Sequence, residues 1–244
     1  MPQKTPRLIT IALAIVVCQL VCQLASAEVQ DKVKNIGGVF VHYKLILPNG
    51  YDPAKAYPAV LAFPGGPQTM SIVQSTVERN WRAQAERRGY IVVVPAAPDG
   101  DLFFEEGARV FPEFITKLLA DFKVDGGKFH IAGMSNGGLS AFHIAAMYPR
   151  YFLSVTGFPG FLRDPTAARM QALSGMCINM HAGELDPDWL SAMKQQSEQF
   201  RAHGYQVRFT VEAGQPHRLE TLAGDGAARL FDQFDEARRG CRTR

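Results

Sequence analysis

One serine stands between glycines in Gly133-Met134-Ser135-Asn136-Gly137, preceded by the apolar run Lys128 to Ala132 and followed by a segment of helical period. At a sharp strand-to-helix turn a serine hydroxyl is held out over the end of a sheet, and glycines on either side relieve the strained backbone. Such a hydroxyl becomes a nucleophile when a histidine takes its proton and a carboxylate fixes that histidine's tautomer. Downstream lie His143, His181, His203 and His217. His143 falls within the helix after Ser135 and His203 near the end of an exposed-looking helix, so both read as structural or solvated. His217 follows the final expected strand, in the loop Ala213-Gly214-Gln215-Pro216-His217, and is the predicted base.

The acid is expected in the preceding loop, Met180 to Asp188, where Glu184, Asp186 and Asp188 compete. Asp186 is selected because it follows a Gly-containing turn and precedes a helix. Asp188 is expected to cap that helix and Glu184 to be solvated, while His181, at the strand end, is expected to order the acid loop. A developing oxyanion needs fixed donors. The Asn136 N–H, at a helix N-terminus, supplies one, and the loop Pro64-Gly65-Gly66-Pro67-Gln68-Thr69 supplies the other. Pro67 has no N–H, which leaves Gly66 or Gln68. The chemistry is acyl transfer. No Cys or His cluster has metal-ligand spacing and no Gly-rich loop matches a nucleotide signature, so the sequence predicts neither metal nor cofactor.

The elements that must position these residues alternate. Short, nearly continuous apolar runs at 39–47, 59–63, 90–94, 128–133, 152–156, 177–181 and 205–211 read as strands. Between them, 71–88, 112–122, 136–148, 165–173, 188–203 and 219–238 carry helical period. The fold class is therefore α/β, a mostly parallel central sheet with helices on both faces and no large lid domain. Phe103, Phe104, Phe158 and Phe161 fall in loops after strands, where they either line a pocket or pack in the core.

The 244 residues, 47% hydrophobic and 20% charged, suit one sizeable soluble domain. Lys4 and Arg7, an apolar run from Leu8 to Val21, and Ala25-Ser26-Ala27 have the order of a secretory signal peptide. Residues 1–27 are read as the signal and 28–244 as one domain, secreted or periplasmic, with no stable membrane insertion after cleavage. The residues before Cys18 and Cys22 are Val17 and Val21, and lipidation is not expected. Losing Lys4 and Arg7 lowers the net charge from +3 towards neutrality, which leaves no basic footprint for nucleic acid. Cys177 and Cys241 remain, either as a disulfide favoured by an oxidising compartment or as one buried and one tail thiol.

From Gly133 to Gly138, His181-Ala-Gly-Glu-Leu-Asp186, His217 and Pro64-Gly-Gly-Pro-Gln68, the chain resembles the α/β-hydrolase superfamily. Within it, the likeness is to secreted esterases of the polyhydroxybutyrate depolymerase-like and feruloyl esterase-like group. The acid loop is similar to the group's H-G-x-x-D, and the Pro64 loop to its H-G-x-x-Q with proline for histidine. The resemblance implies cofactor-free hydrolysis of a small-molecule or polymer-end carboxylic ester through an acyl-enzyme. A prolyl-oligopeptidase-type peptidase shares the serine and acid loop but normally carries a large accessory domain. A non-catalytic binding protein on the same fold is the other alternative.

Overall fold

The computed structural model describes residues 29–241; the expected signal, 1–27, lies outside them. The chain begins with a hairpin, β1 (Val29–Ile36) and β2 (Val39–Ile46), closed by Gly37 and Gly38. Both glycines have positive φ, 58° and 94°, as a tight two-residue hairpin turn requires. Strand β1 is a correction to the sequence reading, which began the sheet at Val39. Its Asp31, Lys32 and Lys34 give no apolar alternation; it forms by backbone pairing to β2, and its charges suit a sheet edge.

The remaining strands are β3 (Ala59–Phe63), β4 (Ile91–Pro95), β5 (Phe129–Gly133), β6 (Phe152–Gly157), β7 (Cys177–Gly183) and β8 (Val207–Glu212). The sheet order is β1-β2-β4-β3-β5-β6-β7-β8. Strand β2 runs antiparallel to β4, and β3 through β8 are parallel. Every residue of β3, β4, β5 and β7 is buried, as strands covered on both faces must be.

Two helices, α1 (Met70–Thr76) and α2 (Arg82–Arg88), form one rod joined by a π-helical turn, Val77–Trp81. The others are α3 (Glu113–Asp121), α4 (Asn136–Met147), α5 (Ala167–Ala172), α6 (Pro187–Ala202) and α7 (Ala228–Arg238). The expected helix 219–238 is helical in the α sense only in its second half. Gly224 takes positive φ, and a Cβ on Gly226 would strike the Thr221 carbonyl, so two short 3-10 turns replace its first half. One face of the sheet is covered by α1, α2 and α7 through Val73, Val77, Trp81, Phe231 and Phe234. The opposite core draws on Phe114, Leu118, Phe142, Met193 and Phe200. Phe103 and Phe158 belong to the core, whereas Phe104 and Phe161 stay partly exposed.

Cys177, at the start of β7, is disulfide-bonded to Cys241 beyond α7, with Cα atoms 5.4 Å apart. Among the described residues no helix is long and apolar enough to cross a membrane.

Candidate active site

Ser135 sits between β5 and α4 with φ 57° and ψ −123°, a backbone conformation that L-residues avoid. Packing enforces it. The Ser135 N–H donates to the Pro159 carbonyl at 2.8 Å, and a Cβ on Gly137 would collide with the Phe63 carbonyl. A Cβ on Gly133 would strike the Gly137 carbonyl, so both glycines are needed for the sharp turn.

Two loops at the same end of the sheet bring the partners in. Asp186 occupies the N-cap of α6, ahead of Pro187, but its side chain makes no cap bond. Its Oδ2 instead lies 2.6 Å from His217 Nδ1, and His217 Nε2 lies 2.8 Å from Ser135 Oγ. Asp188, expected as the cap, lies within the helix's first turn. The structure thus brings Ser135, His217 and Asp186 into one hydrogen-bonded line. Asp186 is largely covered while the His217 side chain is 41% exposed, leaving the line open to solvent on one side.

The acid and base loops are joined along their length. Glu184 N–H donates to the Glu212 carbonyl (3.0 Å), Leu185 N–H to that of Gln215 (2.9 Å), and Gly214 N–H to Glu184 Oε2 (2.7 Å). Glu184 is therefore a strut, not merely a solvated charge. Beneath the loops, His181 and Glu212 are buried against each other. His143 contacts Arg169 and His203 ends α6, both away from this line.

Of the candidate oxyanion donors, Gln68 is not brought to the site. It is fully buried, and its N–H donates to the Gly65 carbonyl at 3.2 Å. Its carboxamide binds Pro64 O, Ser140 Oγ and the Phe103 N–H, so the residue braces the loop. Gly66 is exposed, its N–H has no protein acceptor among the described residues, and its carbonyl accepts from Asn136 Nδ2 at 3.0 Å. The Asn136 N–H, at the first position of α4, is likewise without a protein acceptor among the described residues.

Two contributors were missed in the sequence. Trp189 stands edge-on to His217 with centroids 4.9 Å apart, and Phe161 packs on Trp189 at 5.2 Å. The available signal was a tryptophan in the first turn of the helix that follows Asp186. Glu212 gave no signal, because on β8 it is buried while its apolar neighbour Val211 is 45% exposed.

A sheet of this order, with the serine elbow after β5 and the acid and histidine loops after β7 and β8, defines an α/β-hydrolase. Residues 38–237 match the Esterase family, described as "Putative esterase", and the chain belongs to that family. Part of the chain is similar to dipeptidyl-peptidase 5 of Porphyromonas gingivalis, 29% identical over 128 residues, or 48% of this chain and 19% of that protein. Among solved structures it is similar to a thermostable esterase, with TM-score 0.64 and 18% identity, covering 88% of this chain and 62% of that one. A ferulic acid esterase superposes with TM-score 0.65 and 17% identity, covering 88% of this chain and 98% of that one. At these identities the structural likeness concerns the fold.

Proposed function

We propose that this chain is an exported serine esterase, 28–244 being its mature domain, that cleaves a small-molecule or polymer-end carboxylic ester. The observation that carries the reading is the continuous line Ser135–His217–Asp186, at 2.8 and 2.6 Å, on a strained elbow. In this mechanism His217 Nε2 takes the Ser135 proton as Oγ attacks the ester carbonyl, and Asp186 stabilises the imidazolium through Nδ1–H. The Asn136 and Gly66 N–H groups hold the oxyanion. His217 then protonates the departing alkoxide, and a water attacks the acyl-enzyme by the same route, releasing the acid and restoring Ser135.

Fluorophosphonate labelling and p-nitrophenyl acetate hydrolysis test the reading. Wild type should label and turn over. Ser135→Ala should not label, and both Ser135→Ala and His217→Ala should lose at least roughly a thousandfold in turnover. A folded wild type that neither labels nor turns over would overturn the esterase reading in favour of a binding protein. The partial likeness to a dipeptidyl-peptidase favours a second reading, peptide hydrolysis, which faster turnover of dipeptidyl p-nitroanilides than of esters would establish. Export is tested by N-terminal sequencing of the secreted or periplasmic protein, which should begin at Glu28.

A further inference from the structure

A cavity of about 350 Å³ opens at the carboxyl ends of β3 and β4, its lining including Phe40, His42, Pro67, Met70, Pro98 and Asp99. One wall is the loop that carries Gly66. On its other side that loop backs onto the reacting serine, since a Cβ on Gly65 would sit 3.5 Å from Ser135 Cβ. The loop is therefore shared by the two: Gly66, beside the serine, is followed directly by Pro67, which lines the cavity, and both are exposed at the loop's crest.

The wall is rigid. Gln68 Nε2 donates to Pro64 O at 3.1 Å and to Ser140 Oγ at 3.0 Å, and the Ala97 N–H donates to the Gln68 carbonyl at 2.9 Å. The far side is fixed by the Ala96 N–H donating to the His42 carbonyl at 2.9 Å. A preformed hollow of this size lies at the lower end of the roughly 300–1,000 Å³ typical of small-molecule sites. Its lining is mainly apolar, and Phe40 is 59% exposed, a large apolar surface left uncovered at the catalytic end of the sheet. Asp99 shares Arg109 with Asp101, at 3.0 and 2.6 Å, so this rim keeps a negative balance that disfavours an anionic ligand. The polar groups left for a ligand are those of His42 and Thr69.

We propose that this hollow is a second substrate subsite, taking a neutral aryl or alkyl group of an ester whose carbonyl lies at Ser135. It rests on the esterase reading and narrows the substrate class to neutral esters extended by an apolar group across the Gly66–Pro67 wall. That group belongs either to the acyl part or to the alcohol.

Two series separate these sources: p-nitrophenyl esters of lengthening acyl chain, and acetate esters of alcohols from methanol to 3-phenylpropanol. In wild type, kcat/KM should rise at least tenfold with size in one series, and that series identifies the group bound. Phe40→Ser and Met70→Gln should each lower the ratio of long-ester to acetate kcat/KM by at least fivefold, mainly through KM. No rise in either series, or a rise whose ratio survives both substitutions, would overturn the subsite. Should no ester turn over and Ser135 stay unlabelled, the esterase reading has failed instead. The hollow is then judged by NMR titration of Ser135→Ala with 3-phenylpropanol: shifts at Phe40 and Thr69 support a neutral apolar site, and their absence overturns it.

Discussion

Glu212, the last residue of β8, accepts a hydrogen bond from His181 of β7, Nδ1 to Oε1 at 3.0 Å, with both side chains buried. The same carboxylate accepts from Thr221 Oγ1 and from both Arg229 terminal nitrogens, each at 2.8 Å. Burial alone raises a carboxyl's pKa; here His181, Arg229 and Thr221 outweigh it and hold Glu212 far below the usual carboxylate range. The anion thus fastens the strand ends from which the Asp186 and His217 loops depart. Replacing it with Glu212→Gln leaves Arg229 and His181 facing a neutral amide. Because Arg229 is 43% exposed and keeps solvent, the loss is that of the charge-assisted hydrogen bonds, about 1.5–3 kcal/mol. A depressed folded pKa adds stability above the unfolded value of about 4.5 and loses it as pH falls through the folded one. Thermal melts should therefore show a Tm gap between wild type and variant of roughly 3–12 °C at pH 7, narrowing below about pH 4.5. A gap of constant size down to pH 3 would show that the charge is not what stabilises.

Trp189 restrains His217 from the side that Ser135 and Asp186 leave free, through the edge contact at 4.9 Å. An aromatic pair of this kind contributes about 0.5–1.5 kcal/mol beyond the area it buries. If that energy is the imidazole's restraint, Trp189→Ala should lower kcat/KM for p-nitrophenyl acetate and the fluorophosphonate labelling rate together, by roughly two- to tenfold. Trp189→Phe should recover most of the loss. Wild-type rates in the alanine variant would remove Trp189 from any positioning role.

The α/β fold was legible because β3, β4 and β5 are buried on both faces and their apolar runs are uninterrupted. The line of Ser135, Asp186 and His217 was legible because a strained elbow and Gly-containing loops leave local signatures. What escaped depends on tertiary context. The edge strand β1 is stabilised by pairing with β2, to which its own side chains add little periodicity. Gln68 reads as a loop amide, yet a positive φ turns its side chain inward to three partners. Glu212 and Trp189 take their meaning from residues 31 and 28 positions away, His181 and His217, which no local pattern contains.

The Cys177–Cys241 disulfide decides between the two readings that the sequence left open and closes a loop of 64 residues' separation. Chain-entropy arguments give about 4 kcal/mol for a loop of that length, though such bonds commonly deliver less. Cys177→Ala with Cys241→Ser should lower the unfolding free energy by about 2–4 kcal/mol in urea titrations at pH 7. Wild type under reducing conditions should fall to the same value. Equal stability of the oxidised and reduced wild type would show that the bond does not restrain the unfolded chain.

His130 supplies the acid limb of the stability profile. Its ring is fully buried, stacked on Phe234 with centroids 4.8 Å apart, and Nδ1 lies 2.8 Å from Ser154 Oγ while Nε2 meets no hydrogen-bond partner. Burial, with the Arg238 charge adding to it, pushes its pKa down to about 3 from the ordinary 6.5. Between these values the unfolded chain binds a proton that the folded chain refuses. Stability from this group is thus fully present above pH 6.5 and falls with pH until about 3, at up to about 1.4 kcal/mol per unit. His143, lowered to about 4 by burial and Arg169, acts in the same direction. His130→Gln keeps a hydrogen-bonding group for Ser154 but cannot titrate. Urea unfolding at pH 7.5, 6 and 5 should give a free-energy slope shallower in the variant by about 1 kcal/mol per unit, with the His143 share remaining. Identical slopes would mean that His130 accepts its proton without unfolding, which its packing against Phe234 and its partnerless Nε2 argue against.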